Sequence, residues 1–111
     1  MPFKAKNFVR TSLTTTNATL YTHSSTNGKG SVRTITLNNN TSIPVQVYLN
    51  IVAAAGTASA SNAVIPGWKI QPLSTVEFST WKPLEATGDT IQGYASIGSV
   101  ISISVDGAFT S

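Results

Sequence analysis

The 111-residue sequence contains no cysteine. Neither disulfide bonds nor thiolate-bound metal ions can therefore contribute to its stability. Charged residues make up only 10% of the chain, compared with about a quarter of an average soluble protein. Serine, threonine and asparagine supply the polarity instead, which favours β-structure, because threonine fits a pleated surface and the other two favour turns. So little charge also suits contacts with other proteins, since each buried charge would need a partner.

The few charges are unevenly distributed, and the net charge is +3. Lys4, Lys6 and Arg10 lie near the start of the chain. All the acids follow residue 76, and they are Glu77, Glu85, Asp89 and Asp106. A basic segment can contact nucleic acid or an acidic protein surface, but these three scattered cations are too few to indicate nucleic-acid binding. We therefore expect no nucleic-acid partner; a solvated N-terminal segment and a contact with an acidic protein surface are the two remaining interpretations.

Apolar residues form 41% of the sequence but no long run. The longest uninterrupted apolar stretch is Ile51–Ala55, which is far shorter than the roughly 20 residues of a membrane-spanning helix. The opening, Met1-Pro2-Phe3-Lys4, leads into polar residues rather than the apolar segment of a secretory signal. We expect no membrane partner and a chain that is made in the cytoplasm.

The dominant pattern is an alternation of apolar and polar residues with period two. Val45, Val47 and Leu49, for example, alternate with Gln46 and Tyr48. Successive side chains of a strand point to opposite faces of its sheet, so each such run predicts a strand with one face in a core. No segment has the three-four spacing of an amphipathic helix. The predicted strands are roughly 16–23, 31–39, 43–53, 62–71, 73–79, 89–97 and 99–108, with a further short one at 82–85.

Short strands about ten residues apart, separated by Gly-, Asn- and Ser-rich turns, predict an all-β fold. The expected architecture is an antiparallel β-sandwich, jelly-roll-like or immunoglobulin-like. Residues 1–15 alternate weakly and are basic, which predicts an extended N-terminal arm outside the core. Residues 16–111 are predicted to form a single β-sandwich domain.

Residues suited to catalysis or metal binding are scarce. His23 is the only histidine, and no neighbouring His, Cys or carboxylate would complete a metal site around it. Nucleophilic catalysis needs a base beside a serine or threonine, and nothing in the sequence brings an orienting carboxylate to His23. Glu85 and Asp89 form a thin acidic pair, which we interpret as a strand end and a turn cap. The sequence predicts no enzyme, no cofactor and no metal site.

Two tryptophans leave a second class of function open. Exposed aromatic side chains on a β-sandwich can stack against sugar rings. Trp68 and Trp81 are the candidate stacking residues, with Tyr48 and Tyr94 as further platforms. The alternative function is therefore that of a carbohydrate-binding module, although packing at the rim of the core is the more frequent place for such residues.

Several segments along nearly the whole chain share a recognisable pattern. The basic opening Met1–Phe8 is followed by the strand-like segments Ala18–Thr22, Val32–Asn39 and Val45–Leu49. The segment Leu84–Ala95 reads LEATGDTIQGYA. Together they resemble a family of small β-sandwich proteins encoded among the structural genes of tailed bacteriophages, whose members carry a Leu-Glu-Ala-Gly-Asp turn. Thr87 is an additional residue in that turn, so we expect its loop geometry to differ.

The resemblance implies a non-enzymatic virion protein. We expect a capsid cement or decoration protein that binds the outer head surface and stabilises the shell, or alternatively a protein attached at the neck or tail. Its implied partners are the major capsid protein or other virion proteins, and further copies of itself in a cyclic homo-oligomer such as a trimer. From the basic, aromatic opening we expect the anchoring contacts to be Phe3, Lys4, Lys6, Phe8 and Arg10.

Overall fold

The computed structural model describes residues 3–24, 29–54, 56–59, 62–84 and 87–110, and within these ranges the side chains of residues 3–6, 78, 109 and 110 lie outside the description. The described chain forms eight β-strands. They are β1 (Phe3–Ser12), β2 (Ala18–Thr22), β3 (Lys29–Asn39), β4 (Val45–Val52), β5 (Ala63–Ile70), β6 (Thr75–Leu84), β7 (Thr90–Ala95) and β8 (Ile101–Thr110). None of the described residues belongs to a helix long and apolar enough to cross a membrane.

The strands form two four-stranded antiparallel sheets packed face to face. Sheet A has the order β1-β8-β3-β6, and sheet B has the order β2-β7-β4-β5. The first four strands pair with the last four in reverse, β1 with β8, β2 with β7, β3 with β6 and β4 with β5. A long hairpin of paired strands has thus rolled up, so that β3 meets β8 and β4 meets β7. The prediction of an all-β antiparallel sandwich is confirmed, with the strand order of a jelly roll.

The core lies between the sheets and follows the alternation in the sequence. Val45, Val47 and Leu49 of β4 are at most 1% exposed, whereas Gln46 between them is exposed. The same holds in β8, where Ile101, Ile103 and Val105 are buried. Because each strand presents one apolar face, burial of that face against the opposite sheet is the main contribution that holds the sandwich together.

The N-terminal segment differs from its prediction. Over residues 3–12, the expected arm of residues 1–15 is the edge strand β1, which pairs along its length with β8. Its register shifts between Asn7 and Val9, and Phe8 and Val9 are consecutive buried residues. A β-bulge of this kind places an extra residue in one strand and interrupts the alternation. This is why the segment does not read as a strand by period two.

Strand β6 also differs from its prediction. Two separate strands are expected from the sequence at 73–79 and 82–85, whereas residues 75–79 and 82–84 belong to one strand, Thr75–Leu84. The register between β3 and β6 shifts around Arg33, and the bulge accommodates Thr80 and Trp81. Pro83 lies in this strand without disrupting the sheet, because β6 is an edge strand and needs no ladder partner on its outer side.

Asn39 joins two connections at one end of the sandwich. Its side chain is 1% exposed, and its Nδ2 donates to the carbonyl oxygens of Ile43 (2.9 Å) and Ile70 (3.0 Å). Its Oδ1 accepts a hydrogen bond from the backbone N–H of Thr41 at 3.0 Å. The β3–β4 connection is therefore held against the end of β5, beside the β5–β6 turn.

Candidate functional site

The five predicted anchoring residues do not form one exposed group. Phe8 is 7% exposed and contacts Tyr21 edge to face, with 5.0 Å between ring centroids. The bulge in β1 turns Phe8 into the core, so the expectation that it contacts a partner is not met. Arg10 is exposed on the outer face of sheet A, opposite Ser104. The side chains of Phe3, Lys4 and Lys6 lie outside the described residues.

The two tryptophans are exposed but do not share a platform. Trp68 of β5 is 44% exposed and Trp81 of β6 is 64% exposed. Lys82 and Pro83 line a pocket together with Ala63 and Val64, so Trp81 lies beside the start of β5. Trp68 follows Val64 by four residues, a separation of about 13 Å along the strand at the usual rise of a β-strand. The two tryptophan side chains therefore start from well-separated backbone positions.

An exposed set of four large apolar side chains lies on or near β5 and β6, which are edge strands of the two sheets. We call it the apolar edge, and its members are Ile43, Trp68, Leu73 and Trp81. Leu73 is 73% exposed in the β5–β6 turn, and Ile43 is 49% exposed in the β3–β4 connection. The backbone N–H of Leu73 donates to the carbonyl oxygen of Thr41 at 3.1 Å, which brings the two loops together.

Leu73 has an unusual backbone conformation as well as an exposed side chain. Its φ is 52°, in the left-handed region. For a residue other than glycine, asparagine or aspartate, that conformation costs roughly 1–2 kcal/mol. The turn therefore holds a large apolar side chain in water at a cost in backbone energy, and neither solvation nor intrinsic preference favours it in the isolated protein.

A second surface lies on the outer face of sheet B. Tyr48 of β4 and Tyr94 of β7 are directly paired and stack with 4.5 Å between ring centroids and 9° between ring planes. Gly67 of β5 covers the other face of Tyr48, because a Cβ at that position would lie 2.8 Å from Cε2 of the ring. The second face of Tyr94 points toward β2, the neighbour of β7 on the other side. This face of Tyr94 is therefore covered by neither β4 nor β5.

The stacked tyrosines border a groove of about 380 Å³. Asn17, Asn50, Gln92 and residues 57–59 of the β4–β5 connection also line it. We call this cavity the tyrosine groove. None of its described lining residues carries a charge, so it offers only amides, hydroxyls, backbone groups and apolar surface.

Two amide side chains on one side of the groove hold each other in place. Nδ2 of Asn17 donates to Oε1 of Gln92 at 2.9 Å, and Nε2 of Gln92 donates to Oγ1 of Thr90 at 2.9 Å. Among the described residues, Oδ1 of Asn17 accepts no hydrogen bond and is available to a ligand.

The acids and His23 contribute no comparable site. His23 is 1% exposed, and its Nδ1 lies 3.3 Å from the hydroxyl of Tyr21. Oδ1 of Asp89 accepts a hydrogen bond from the backbone N–H of Ala54 at 2.9 Å. Glu85 lies outside the described residues. In the described ranges no group of three His, Cys, Asp or Glu side chains is placed to hold a metal ion.

Comparisons with known proteins identify no family for this chain. No family model matches the chain, no curated protein matches it in sequence, and no solved structure matches it.

Sequence reasoning anticipated some of these residues and missed others. It named the four aromatic residues, and the structure brings Tyr48 and Tyr94 together while keeping the tryptophans apart. It missed Leu73, although an apolar residue beside Pro72 in a turn between two strands is a detectable signal. It also missed Asn17, Asn50 and Gln92, because a polar residue at an alternating position looks the same whether it faces bulk water or a groove.

Proposed function

We propose that this chain is a non-enzymatic structural protein of a tailed-bacteriophage virion. It acts as a capsid cement or decoration protein that binds the outer head surface and stabilises the shell. The observation that carries the proposal is Leu73, a 73% exposed leucine in a left-handed conformation beside exposed Ile43. A side chain that costs the free protein energy is explained if it enters an apolar pocket of a partner, where its burial is favourable.

Three further features support this function. The segments that resemble phage structural proteins extend along nearly the whole chain, from Met1 to Ala95. The scarcity of charge favours close protein contacts, because few groups need to lose their hydration. The jelly-roll order also occurs among capsid proteins, which is an analogy of fold only.

In this proposal the major capsid protein covers the apolar edge. Further copies of the chain are a second partner, in a cyclic oligomer such as a trimer, and a neck or tail position remains the alternative placement. Arg10, on β1, then lies at the opposite edge of sheet A from β6 and contributes less to capsid binding than Leu73.

The test is binding of purified variants to phage heads that lack the protein. Leu73→Asn removes the apolar side chain but keeps the backbone, since asparagine adopts the left-handed conformation readily. We expect this variant, combined with Ile43→Thr, to bind heads at least about tenfold more weakly, as for residues at the centre of an interface. Arg10→Ala is the matched control and should change binding by less than about threefold.

Cryo-electron microscopy of intact particles decides the placement. Many symmetric copies on the head would support the cement function, and the contact should include Leu73. A few copies at the neck or tail would instead support the attachment function. Absence from particles, or equal binding by the Leu73 variant and the wild type, would contradict the proposal.

A further inference from the structure

The tyrosine groove contains a polar side-chain atom, Oδ1 of Asn50, that can accept a hydrogen bond from a ligand. Asn50 is 9% exposed, so nine-tenths of its surface is buried. It lies on the outer face of β4, paired with Gln92 and two residues after Tyr48. It nevertheless avoids bulk water because the β4–β5 connection lies over it.

Hydrogen bonds fix the orientation of the Asn50 amide. Nδ2 donates to the carbonyl oxygen of Ser59 at 2.8 Å and to Oδ1 of Asn62 at 2.6 Å. Asn62 is itself held, since its Oδ1 accepts from the N–H of Ser59 and its Nδ2 donates to the carbonyl oxygen of Thr57. Both protons of the Asn50 amide are therefore used, and the group cannot turn without losing two hydrogen bonds.

The remaining atom, Oδ1 of Asn50, points to the function of the groove. No described residue donates a hydrogen bond to it. Every fully buried side-chain oxygen or nitrogen among the described residues has a hydrogen-bond partner, so Oδ1 of Asn50 cannot be fully buried. Oδ1 is therefore reached by solvent, and the groove is the solvent space that Asn50 lines. The result is an oriented acceptor at the floor of a groove, where a ligand can replace water.

The other groups around the groove complete a pattern of recognition. Asn17 presents a second oriented acceptor, and Tyr94 presents a ring face on the side away from Tyr48. Fixed acceptors suit the hydroxyl groups of a ligand, and an aromatic face suits its C–H groups. A neutral sugar ring offers both on one scaffold, and the lack of charge in the lining excludes any pairing with an acidic or basic ligand.

We propose that the tyrosine groove binds a neutral saccharide. The ring of Tyr94 stacks on one sugar unit, Oδ1 of Asn17 accepts a hydrogen bond from a hydroxyl of that unit, and Oδ1 of Asn50 accepts one from a hydroxyl of the same or a neighbouring unit. This inference differs from the sugar-binding alternative drawn from the sequence, because it assigns no role to Trp68 or Trp81. It is also independent of the virion function, since it rests on a different face of the sandwich.

The experiment uses the full chain and a panel of soluble neutral oligosaccharides of glucose, galactose, mannose and N-acetylglucosamine. Acidic oligosaccharides of matched length form a comparison set. Binding is followed by nuclear magnetic resonance of the side-chain amide groups, which reports on Asn17, Asn50 and Gln92 separately. We expect at least one neutral oligosaccharide to shift these three signals with a Kd of about 1 mM or lower, and no shift with the acidic set.

Three variants locate the site. Asn17→Ala changes an exposed residue, so it should keep the fold and weaken binding by about fivefold to tenfold. Tyr94→Ala removes the ring face and should weaken binding by at least about tenfold, whereas Tyr94→Phe keeps the face and should retain binding. Trp81→Ala is the matched aromatic control and should leave the Kd unchanged within about twofold.

Two results would overturn the inference. One is the absence of any shift at the groove amides with every neutral oligosaccharide in the panel at millimolar concentration. The other is binding that survives Asn17→Ala and Tyr94→Ala but is lost in Trp81→Ala, which would move the site to the apolar edge.

Discussion

The outer faces of the two sheets have the same polar alternation but differ in what their polar groups contact. On sheet A, outward residues mainly bind one another across strands. Nδ2 of Asn7 donates to Oδ1 of Asp106 at 2.7 Å, and Oγ1 of Thr75 donates to Oδ1 of Asn38 at 3.0 Å. On sheet B, the β4–β5 connection folds back and buries outward-facing Asn50 and Val52.

The difference shows what turns a polar strand residue into a binding group. Polar groups that hydrogen-bond to each other on an open sheet form a solvated surface with few donors or acceptors left for a ligand. A loop that orients an amide while leaving one atom unpaired creates a preorganised acceptor, which loses less entropy on binding. Sheet A also has a concavity, of about 460 Å³ beside Arg10, Asn38 and Ser104, but among the described residues the acceptor oriented by a covering loop lies in the groove on sheet B.

The largest expected effect comes from a substitution beside Tyr48, a residue that lines the tyrosine groove. Gly67 has a φ of 102°, and a Cβ there would lie 2.8 Å from the Tyr48 ring. We predict that Gly67→Ala lowers the free energy of unfolding by about 2–4 kcal/mol, through backbone strain and displacement of Tyr48. Urea unfolding measures this change.

Gly98→Ala is the control for this prediction. The nearest atom to an added Cβ at Gly98 is Cγ2 of Thr15 at 3.7 Å, an ordinary contact, and its φ is not positive. The stability should change by less than about 1 kcal/mol. Equal losses in both variants would show that the Tyr48 packing is not under the constraint described here.

A smaller effect is expected when one outward-facing polar residue is replaced on each sheet, Asn50 on sheet B and Ser104 on sheet A. Asn50→Ala removes the two hydrogen bonds that its Nδ2 donates, one to the carbonyl oxygen of Ser59 and one to Oδ1 of Asn62. We expect a loss of about 2 kcal/mol in unfolding free energy, because these two hydrogen bonds attach the β4–β5 connection to β4. Ser104→Ala on sheet A should cost less than about 0.5 kcal/mol, since water replaces its contacts.

Denaturant unfolding of the two variants tests the comparison directly. Faster hydrogen exchange of the β4–β5 connection in Asn50→Ala is also expected, since that loop would lose its attachment. A cost for Ser104→Ala as large as that for Asn50→Ala would remove the distinction between the faces.

The smallest expected effect concerns the side where β1 and β2 meet, away from both outer faces. The Tyr21 hydroxyl lies 3.3 Å from Nδ1 of His23, and burial raises the pKa of Tyr21 above its usual value of 10.0. The unfolded chain therefore releases this proton more readily, so the associated stability is present below pH 10 and is lost as the pH rises through the folded-state pKa. We predict that Tyr21→Phe costs about 1 kcal/mol at neutral pH and makes the alkaline decline of stability less steep.

Urea unfolding of both proteins between pH 8 and pH 11 measures this effect, since the range extends from about two units below the reference pKa to about one unit above it. The difference in stability between wild type and Tyr21→Phe should shrink above pH 10. A constant difference across this range would mean that Tyr21 titrates alike in the folded and unfolded chains.

Much of the sheet structure could be predicted from the sequence alone. The alternation through Val45, Val47 and Leu49 identifies β4 and its buried face, and the same reasoning identifies β3, β7 and β8. Strand β1 was not predicted, because the bulge at Phe8 places two consecutive residues in the core. Strand β6 appeared as two strands because its bulge and Pro83 interrupt the pattern.

The candidate surfaces were less predictable than the strands. The sequence identified Tyr48 and Tyr94 as aromatic candidates but not their stacking, and it indicated nothing of Asn50 as a fixed acceptor. Leu73 could be located in a turn, whereas its left-handed conformation and its contact with Thr41 depend on the neighbouring loop.

The sequence by itself determined the all-β class, the buried face of most strands and the shortage of charge, because these follow from residues that are neighbours along the chain. Tertiary structure decided the jelly-roll order, the place of β1 and both candidate surfaces. The tyrosine groove joins Asn17, Tyr48 and Tyr94, which follow one another along the chain at separations of 31 and 46 residues and meet only because β7 lies between β2 and β4. Alternation sets which way a side chain points, but it carries no information about which strand or loop will lie beside it.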